Sequence, residues 1–330
     1  MSQEKGKKNF LECFEYEIFF FLSGILAKSS IDGRRRTYTT HGRKRKRGSS
    51  LQLGVVMTGH GAYAAACVGV LREMERRGIQ LGAVCGMHAG AWPAALFASG
   101  MSLQEMEKAL HQAASMGRRM IAPRWYERYG PVYMSEGARV NRLLAVQTGH
   151  QVLSLSPGAA IFPMRMLRTG QRVVFSTRGF MTEGDAMLSI QAGLGFAARA
   201  AMGAAPFLSP VQYLGSALAS DTDLAFACRQ LMRLGMQRVL VIRPCACARR
   251  IPDALDLAAG ALDLAAQQTL DGETGMLKIT MPEHVGALSL NMLAQCARAG
   301  EEAAAQQMDQ ILDRLGMARC RVLAFKKRYS

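Results

Sequence analysis

The sequence predicts an α/β fold in which a mainly parallel central sheet is flanked by helices. From Leu51 onward, short apolar runs alternate with stretches of helical periodicity, and the first two runs are each followed by a glycine-containing turn. Two late segments are rich in alanine and leucine, which is typical of helices that cover a sheet. Strands alternating with helices indicate a parallel sheet, because each helix returns the chain to the same end of the sheet.

The elements follow in order along the chain. The apolar run 53–57 predicts a buried strand, and the periodicity over 64–77 predicts the helix that follows its glycine turn. The short run 83–85 predicts a second strand, followed by a sharp turn and a helix that ends near Ser99. Further elements are expected downstream: core strands at 173–176 and 239–242, and helices at 252–268 and 290–315.

Composition excludes several classes of protein. With 330 residues, 49% of them hydrophobic and 20% charged, the chain can bury a sizeable core, which excludes a disordered chain and a small disulfide scaffold. The most apolar run, Ile18 to Ala27, is too short to span a bilayer, so a polytopic membrane protein is also excluded. The eight cysteines form no CxxC pair, which favours free thiols in a reducing cytoplasm.

The net charge of +16 is unevenly distributed. Residues 1–50 carry twelve Lys/Arg against five Asp/Glu, and apolar residues between Phe10 and Ile25 recur at near-helical spacing. We therefore expect a flexible, basic, partly amphipathic segment at 1–50, an α/β domain at 51–245 and a mainly helical extension at 246–330. The basic segment favours a lipid or a peripheral membrane surface as partner. Nucleic acid is disfavoured because no nucleic-acid motif accompanies the charge, and the sequence does not identify a protein partner.

Two turns carry the candidate chemistry, and each lies between a predicted strand and a predicted helix. The first turn exposes backbone amides beside a helix start, where amides can hold an anion; its residues are Gly59, His60, Gly61 and Ala62. The second turn has the G-x-S-x-G spacing of a nucleophile elbow, whose central side chain projects from the turn; its residues are Gly86, Met87, His88, Ala89 and Gly90. The central residue here is histidine, where a hydrolase has serine.

The chain resembles the patatin-like phospholipases, in which a glycine-rich GGGxRG oxyanion loop precedes a GxSxG elbow. The two turns fall on these motifs in order, and the stretch 95–100 after the elbow also matches. Farther on, 198–211 and 234–242 resemble the segment before the family's catalytic aspartate and the strand after it. The resemblance implies a patatin-like three-layer fold over 51–245. It also implies a family chemistry in which a serine paired with an aspartate hydrolyses lipid acyl esters.

The sequence departs from the family at nearly every chemical position. His88 stands at the serine, and the aspartate position falls on Ala219 or Ser220, with Asp221 as the nearby candidate. Both glycines of the aspartate motif are absent, and the oxyanion loop has three replacements: His60 for a glycine, Tyr63 for the arginine and Ala64 for the last glycine. We therefore predict a degenerate, catalytically silent member that retains lipid or acyl-chain binding.

Other functions are left open by the sequence. One is an active lipid acyl hydrolase with altered catalytic residues, in which the imidazole of His88 forms a covalent intermediate. Another is a scaffold that binds a protein or nucleic acid through the basic segment. No cofactor and no metal ion is predicted. One hypothesis to the contrary is a two-His-one-carboxylate site made by His60 and His88 with Asp221 or Asp223, and imidazoles farther apart than about 8 Å would remove it.

Overall fold

A computed structural model describes most of the chain beyond residue 51. The described ranges are 52–116, 137–166, 172–178, 186–189, 193–202, 213–215, 221–247 and 274–317. All of them belong to one compact unit that extends from Ser50 to Ser330. The segment 1–50 and the helix predicted at 252–268 lie outside the described residues.

The central element is an eight-stranded sheet. The strands are β1 (Leu53–Met57), β2 (Leu81–Gly86), β3 (Ala160–Met166), β4 (Arg172–Ser176), β5 (Ala186–Ser189), β6 (Tyr213–Gly215), β7 (Arg238–Cys245) and β8 (Thr274–Thr280). Their order in the sheet is β5-β4-β3-β2-β1-β7-β8, and β6 pairs with β3 beside this path. Only the pairings of β3 with β4 and with β6 are antiparallel, so the sheet is mainly parallel among the described strands.

Seven α-helices are described beside the sheet. They are α1 (Ala65–Arg76), α2 (Ala91–Ala98), α3 (Leu103–Met116), α4 (Gly137–Gln147), α5 (Leu194–Ala201), α6 (Asp221–Arg233) and α7 (Leu293–Arg314). Short 3-10 helices at Gly61–Ala64 and His88–Gly90 precede α1 and α2. None of the helices in the described ranges combines the length and the apolarity needed to cross a bilayer.

Helices cover both faces of the sheet. Leu53, Val55 and Met57 of β1 face the larger core, which includes apolar side chains of α1 to α5 and α7. Val56 faces the opposite core, which α6 completes. Because β1 is buried on both faces, its sequence is a continuous apolar run rather than an alternating one. The predicted α/β class, a mainly parallel sheet between two layers of helices, is confirmed.

Parallel pairing around β1 brings the two candidate turns together. Met57, the last residue of β1, is in register with Gly86 on β2 and with Ile242 on β7. The chain therefore leaves β1 and β2 at the same edge of the sheet, which is where parallel sheets place ligand sites. The turn after β1 begins with Thr58, whose hydroxyl donates a hydrogen bond of 2.7 Å to the carbonyl of Ile242.

The last part of the chain supplies both a strand and a helix. β8 extends the sheet beside β7 in parallel register, and α7 packs across α1 on the larger core. Sequence periodicity predicted α7 but did not predict β8. Among the residues of β8, only Leu277 and Ile279 are both apolar and fully buried. Arg72 of α1 contributes to this packing because it bridges Glu107 of α3 and Glu301 of α7.

Candidate functional site

The turn after β1 has a backbone shape that requires glycine. Gly59 has φ 125° and Gly61 has φ 50°, both in the region that L-residues rarely adopt. A Cβ on Gly61 would also overlap the carbonyl group of Ala287, because the turn passes directly against that backbone. The glycines that the sequence singled out are therefore demanded by the local geometry.

The turn after β2 forms the elbow that its spacing predicted. His88 has φ 51°, and only one other non-glycine residue in the described ranges, His150, has a positive φ. The left-handed conformation costs an ordinary residue roughly 1–2 kcal/mol, so the surrounding structure must hold His88 in place. It does so by close approach, since a Cβ on Gly86 would overlap Ala91 and a Cβ on Gly90 would overlap the carbonyl of Met57.

The two turns are in direct contact. The amide of Ala89 donates a hydrogen bond of 3.0 Å to the carbonyl of Gly59. The imidazole rings of His60 and His88 lie with their centroids 4.7 Å apart and their planes inclined by 49°. The adjacency of the two histidines, which the family resemblance implied, is therefore present, and the rings are well within the 8 Å limit.

Electrostatics keep His88 uncharged at neutral pH. Its pKa is lowered from 6.5 to about 3, first because the ring is desolvated and then because His60 and Arg243 oppose a second positive charge nearby. The sequence analysis did not single out Arg243. Its position could have indicated a role, because it directly follows the buried run Val239–Ile242. Parallel strands place their ligand sites at that edge of the sheet.

Several amides of the two turns are already hydrogen-bonded within the protein. The Ala62 amide donates to the carbonyl of Ala287 at 2.7 Å, and the Tyr63 amide donates to the carbonyl of His60 at 3.0 Å. With the Ala89 bond described above, three amides beside the elbow are engaged. An oxyanion would need preorganised donors aimed at it, so these three are not available without rearrangement.

Tyr63, which stands at the family's arginine position, has a packing role. It is 2% exposed, and its hydroxyl donates a hydrogen bond of 3.1 Å to the carbonyl of Val285. Together with the hydrogen bond between Ala62 and Ala287, this contact attaches the turn after β1 to residues 285–287, which precede α7. The tyrosine therefore binds the protein's own backbone.

Replacing Tyr63 with phenylalanine is expected to lower the free energy of unfolding by about 1–2 kcal/mol, because the buried Val285 carbonyl loses its donor. Urea denaturation monitored by circular dichroism would measure the change. The matched control is Ser115→Ala, which removes an exposed hydroxyl that bonds within α3 and should change the free energy little. An unchanged midpoint in the Tyr63 variant would contradict this role for the hydroxyl.

The region of the family's aspartate is described only in part. Ala219 and Ser220 lie outside the described residues, and Asp221 is the first residue of α6. Leu231 and Met236 lie against Gly54 near the start of β1, so α6 ends at the amino edge of the sheet. The beginning of α6 therefore points toward the carboxyl edge, where the two turns lie. The side chain of Asp221 is not among those described.

No third metal-binding side chain and no reactive thiol accompanies the two histidines in the described ranges. Within the described ranges, no group of three or more His, Cys, Asp or Glu side chains is arranged to hold a metal ion. Cys67 is buried behind the first turn, where its thiol contacts the carbonyl of Thr58, and burial raises its pKa to about 12. Cys85 is buried in the core beside α6, and desolvation raises its pKa well above the usual value. Neither thiol is activated as a nucleophile.

No protein family and no curated protein matches the sequence. VipD from Legionella pneumophila is similar at 10% identity and a TM-score of 0.43, over 79% of this chain and 67% of VipD. The type III effector protein ExoU is similar at 14% identity and a TM-score of 0.32, over 84% of this chain and 62% of ExoU. With TM-scores below 0.5, neither likeness defines an activity for this chain.

Proposed function

We propose that this chain is a degenerate patatin-like protein that does not hydrolyse acyl esters and that retains lipid or acyl-chain binding. The proposal is supported by the order of the motifs on the sheet, with a glycine turn after β1 and an elbow after β2. It is also supported by the residues found in them. The elbow presents an imidazole in place of a serine hydroxyl, and loss of a serine nucleophile removes roughly 10⁶-fold in rate in a well-studied protease.

The observation that carries the proposal is the hydrogen bond from the Ala89 amide to the Gly59 carbonyl. In nucleophile elbows, the amide of the residue after the nucleophile is a donor to the oxyanion. Here that amide faces a carbonyl of the neighbouring turn at 3.0 Å. Removal of one oxyanion donor costs about 10²–10³ in rate, in addition to the loss of the serine.

The alternative of a hydrolase with His88 as nucleophile faces the same obstacle. A neutral imidazole can attack an ester, and the low pKa of His88 keeps it neutral. Attack would still place negative charge on the carbonyl oxygen, and the amides of Ala62, Tyr63 and Ala89 are bonded elsewhere. We therefore favour a silent site over an altered one.

Lipid binding, the second part of the proposed function, does not depend on the residues of the elbow. Its support is the resemblance to a lipid-hydrolysing family and the net charge of +16, which favours association with anionic lipid surfaces. A peripheral position at a membrane is part of the same proposal.

The test is hydrolysis of phospholipid and neutral-lipid esters by the full chain and by its His88→Ala and His88→Ser variants. His111→Ala, which changes an exposed histidine of α3, is the matched control. We expect no turnover by the natural chain and a trace restored by serine, with all four proteins binding anionic vesicles equally. Turnover that is lost in His88→Ala would establish the active hydrolase instead. Absence of vesicle binding would remove the lipid-binding part of the proposal.

A further inference from the structure

We propose that His60 and His88 together bind a divalent transition-metal ion of the zinc class at the carboxyl edge of the sheet. The inference goes beyond the proposed function, because it assigns the two turns a ligand that is neither a lipid nor an acyl ester. It is also independent of catalytic silence, since metal binding is measured without any ester present.

The distance between the rings suits a shared ion. A zinc–nitrogen bond is about 2.0–2.1 Å, so two imidazoles on one tetrahedral ion have ring centroids about 5 Å apart. The centroids of His60 and His88 are 4.7 Å apart. Their planes are inclined by 49°, so the two rings are not stacked face to face.

The backbone that carries each ring is fixed before any ion binds. His60 lies between Gly59 and Gly61, both held at positive φ, and the amide of the next residue, Ala62, is anchored on Ala287. His88 is fixed in the left-handed conformation of the elbow. Little conformational freedom remains to be lost on binding, which favours affinity even with few ligands.

Ligand number and charge limit that affinity. Within the described ranges no third His, Cys, Asp or Glu completes the pair, so water would fill the remaining coordination positions. The positive charge of Arg243, which reaches His88, opposes a cation. We therefore expect the affinity to be far weaker than that of a four-ligand structural site. Imidazole ligands select zinc, copper or nickel over magnesium and calcium.

Cys245 and Cys247 are the main competitors for such an ion. They are half-buried where β7 ends, and thiolates also bind zinc. A variant with both cysteines changed to serine separates the two possibilities. His111→Ala, which removes an exposed imidazole of α3, controls for adventitious binding by a surface histidine.

The experiment is isothermal titration of the full chain with Zn²⁺ and, separately, with Mg²⁺. His88→Asn keeps a residue that tolerates the left-handed backbone, and His60→Gln keeps a side chain of similar length. We expect one zinc site in the natural chain, weakened at least tenfold in each of these variants and unchanged in the serine and His111 variants. Magnesium should not bind. Circular dichroism and thermal melting would establish that each variant is folded.

A second readout counts the nitrogens directly. Electron paramagnetic resonance of the chain loaded with one equivalent of Cu²⁺ should show coupling to two imidazole nitrogens, and to one in the His60→Gln variant. The proposal is overturned if zinc affinity survives in His88→Asn, if it disappears in the double cysteine variant, or if the copper spectrum of the natural chain shows a single nitrogen. Because neither measurement uses an ester, these outcomes leave the hydrolysis test unaffected.

Discussion

Replacing Gly69 with alanine is expected to lower the free energy of unfolding by about 1–3 kcal/mol. Gly69 lies where α1 crosses α7, and an added Cβ would overlap the carbonyl group of Ala297. The contact is reciprocal, since a Cβ on Gly300 of α7 would overlap the carbonyl of Ala66. Both obstacles are backbone atoms, so relief requires the two helices to separate and opens gaps in the larger core.

Helix propensity alone would make Gly69→Ala stabilising, which is opposite to the expected loss of stability. Alanine is about 1 kcal/mol more favourable than glycine within an exposed helix, so destabilisation would report the helix crossing alone. Urea denaturation of Gly69→Ala and Gly300→Ala would measure the loss. Gly78→Ala is the control, because its Cβ would meet no atom within 4 Å and only the φ of 68° opposes it. If Gly69→Ala proved as stable as the natural chain, the close crossing would be contradicted.

Acidification is expected to destabilise the folded chain through His88. The pKa of His88 is about 3 in the folded chain, compared with 6.5 as its ordinary value. Between these values the unfolded chain binds a proton that the folded chain does not, so stability falls as the pH falls below about 6.5. The destabilisation is absent above that range and grows by up to about 1.4 kcal/mol per pH unit as the pH falls through it.

Urea denaturation at pH 7, 6 and 5 would measure this contribution by comparing the natural chain with His88→Asn. Carboxylates titrate in both proteins, so the difference between them isolates the imidazole. We expect the natural chain to lose about 2 kcal/mol more than the variant between pH 7 and pH 5. His111→Ala should retain the full slope, because that side chain is exposed. Equal slopes in the natural chain and His88→Asn would show that burial of the ring has no such cost.

The two turns connect this titration with the metal-binding proposal. The same imidazole that resists protonation has its ring centroid 4.7 Å from that of His60. His88→Asn serves both experiments and is expected to remove the acid sensitivity and to weaken zinc binding. Urea denaturation measures the acid sensitivity and isothermal titration measures zinc binding, so the two expectations are tested separately.

The sequence by itself determined the class of fold and the position of the two turns. β1 and residues 83–86 of β2 are short buried runs, and Gly59 and Gly61 of the first turn are required by their positive φ, so these signals are local. The departure of His88 and Tyr63 from the family motifs is likewise visible in the sequence. Local patterns of this kind can be recognised in a single sequence because each depends on a few neighbouring residues.

Other features were decided only by tertiary structure. β8 is stabilised by pairing with β7, the Ala62 amide bonds to Ala287 far along the chain, and Arg243 acts on His88 across the carboxyl edge of the sheet. Each depends on residues distant in sequence that only the packing brings together, so no local periodicity encodes them. The engagement of the turn amides, which bears most directly on activity, belongs to this second group.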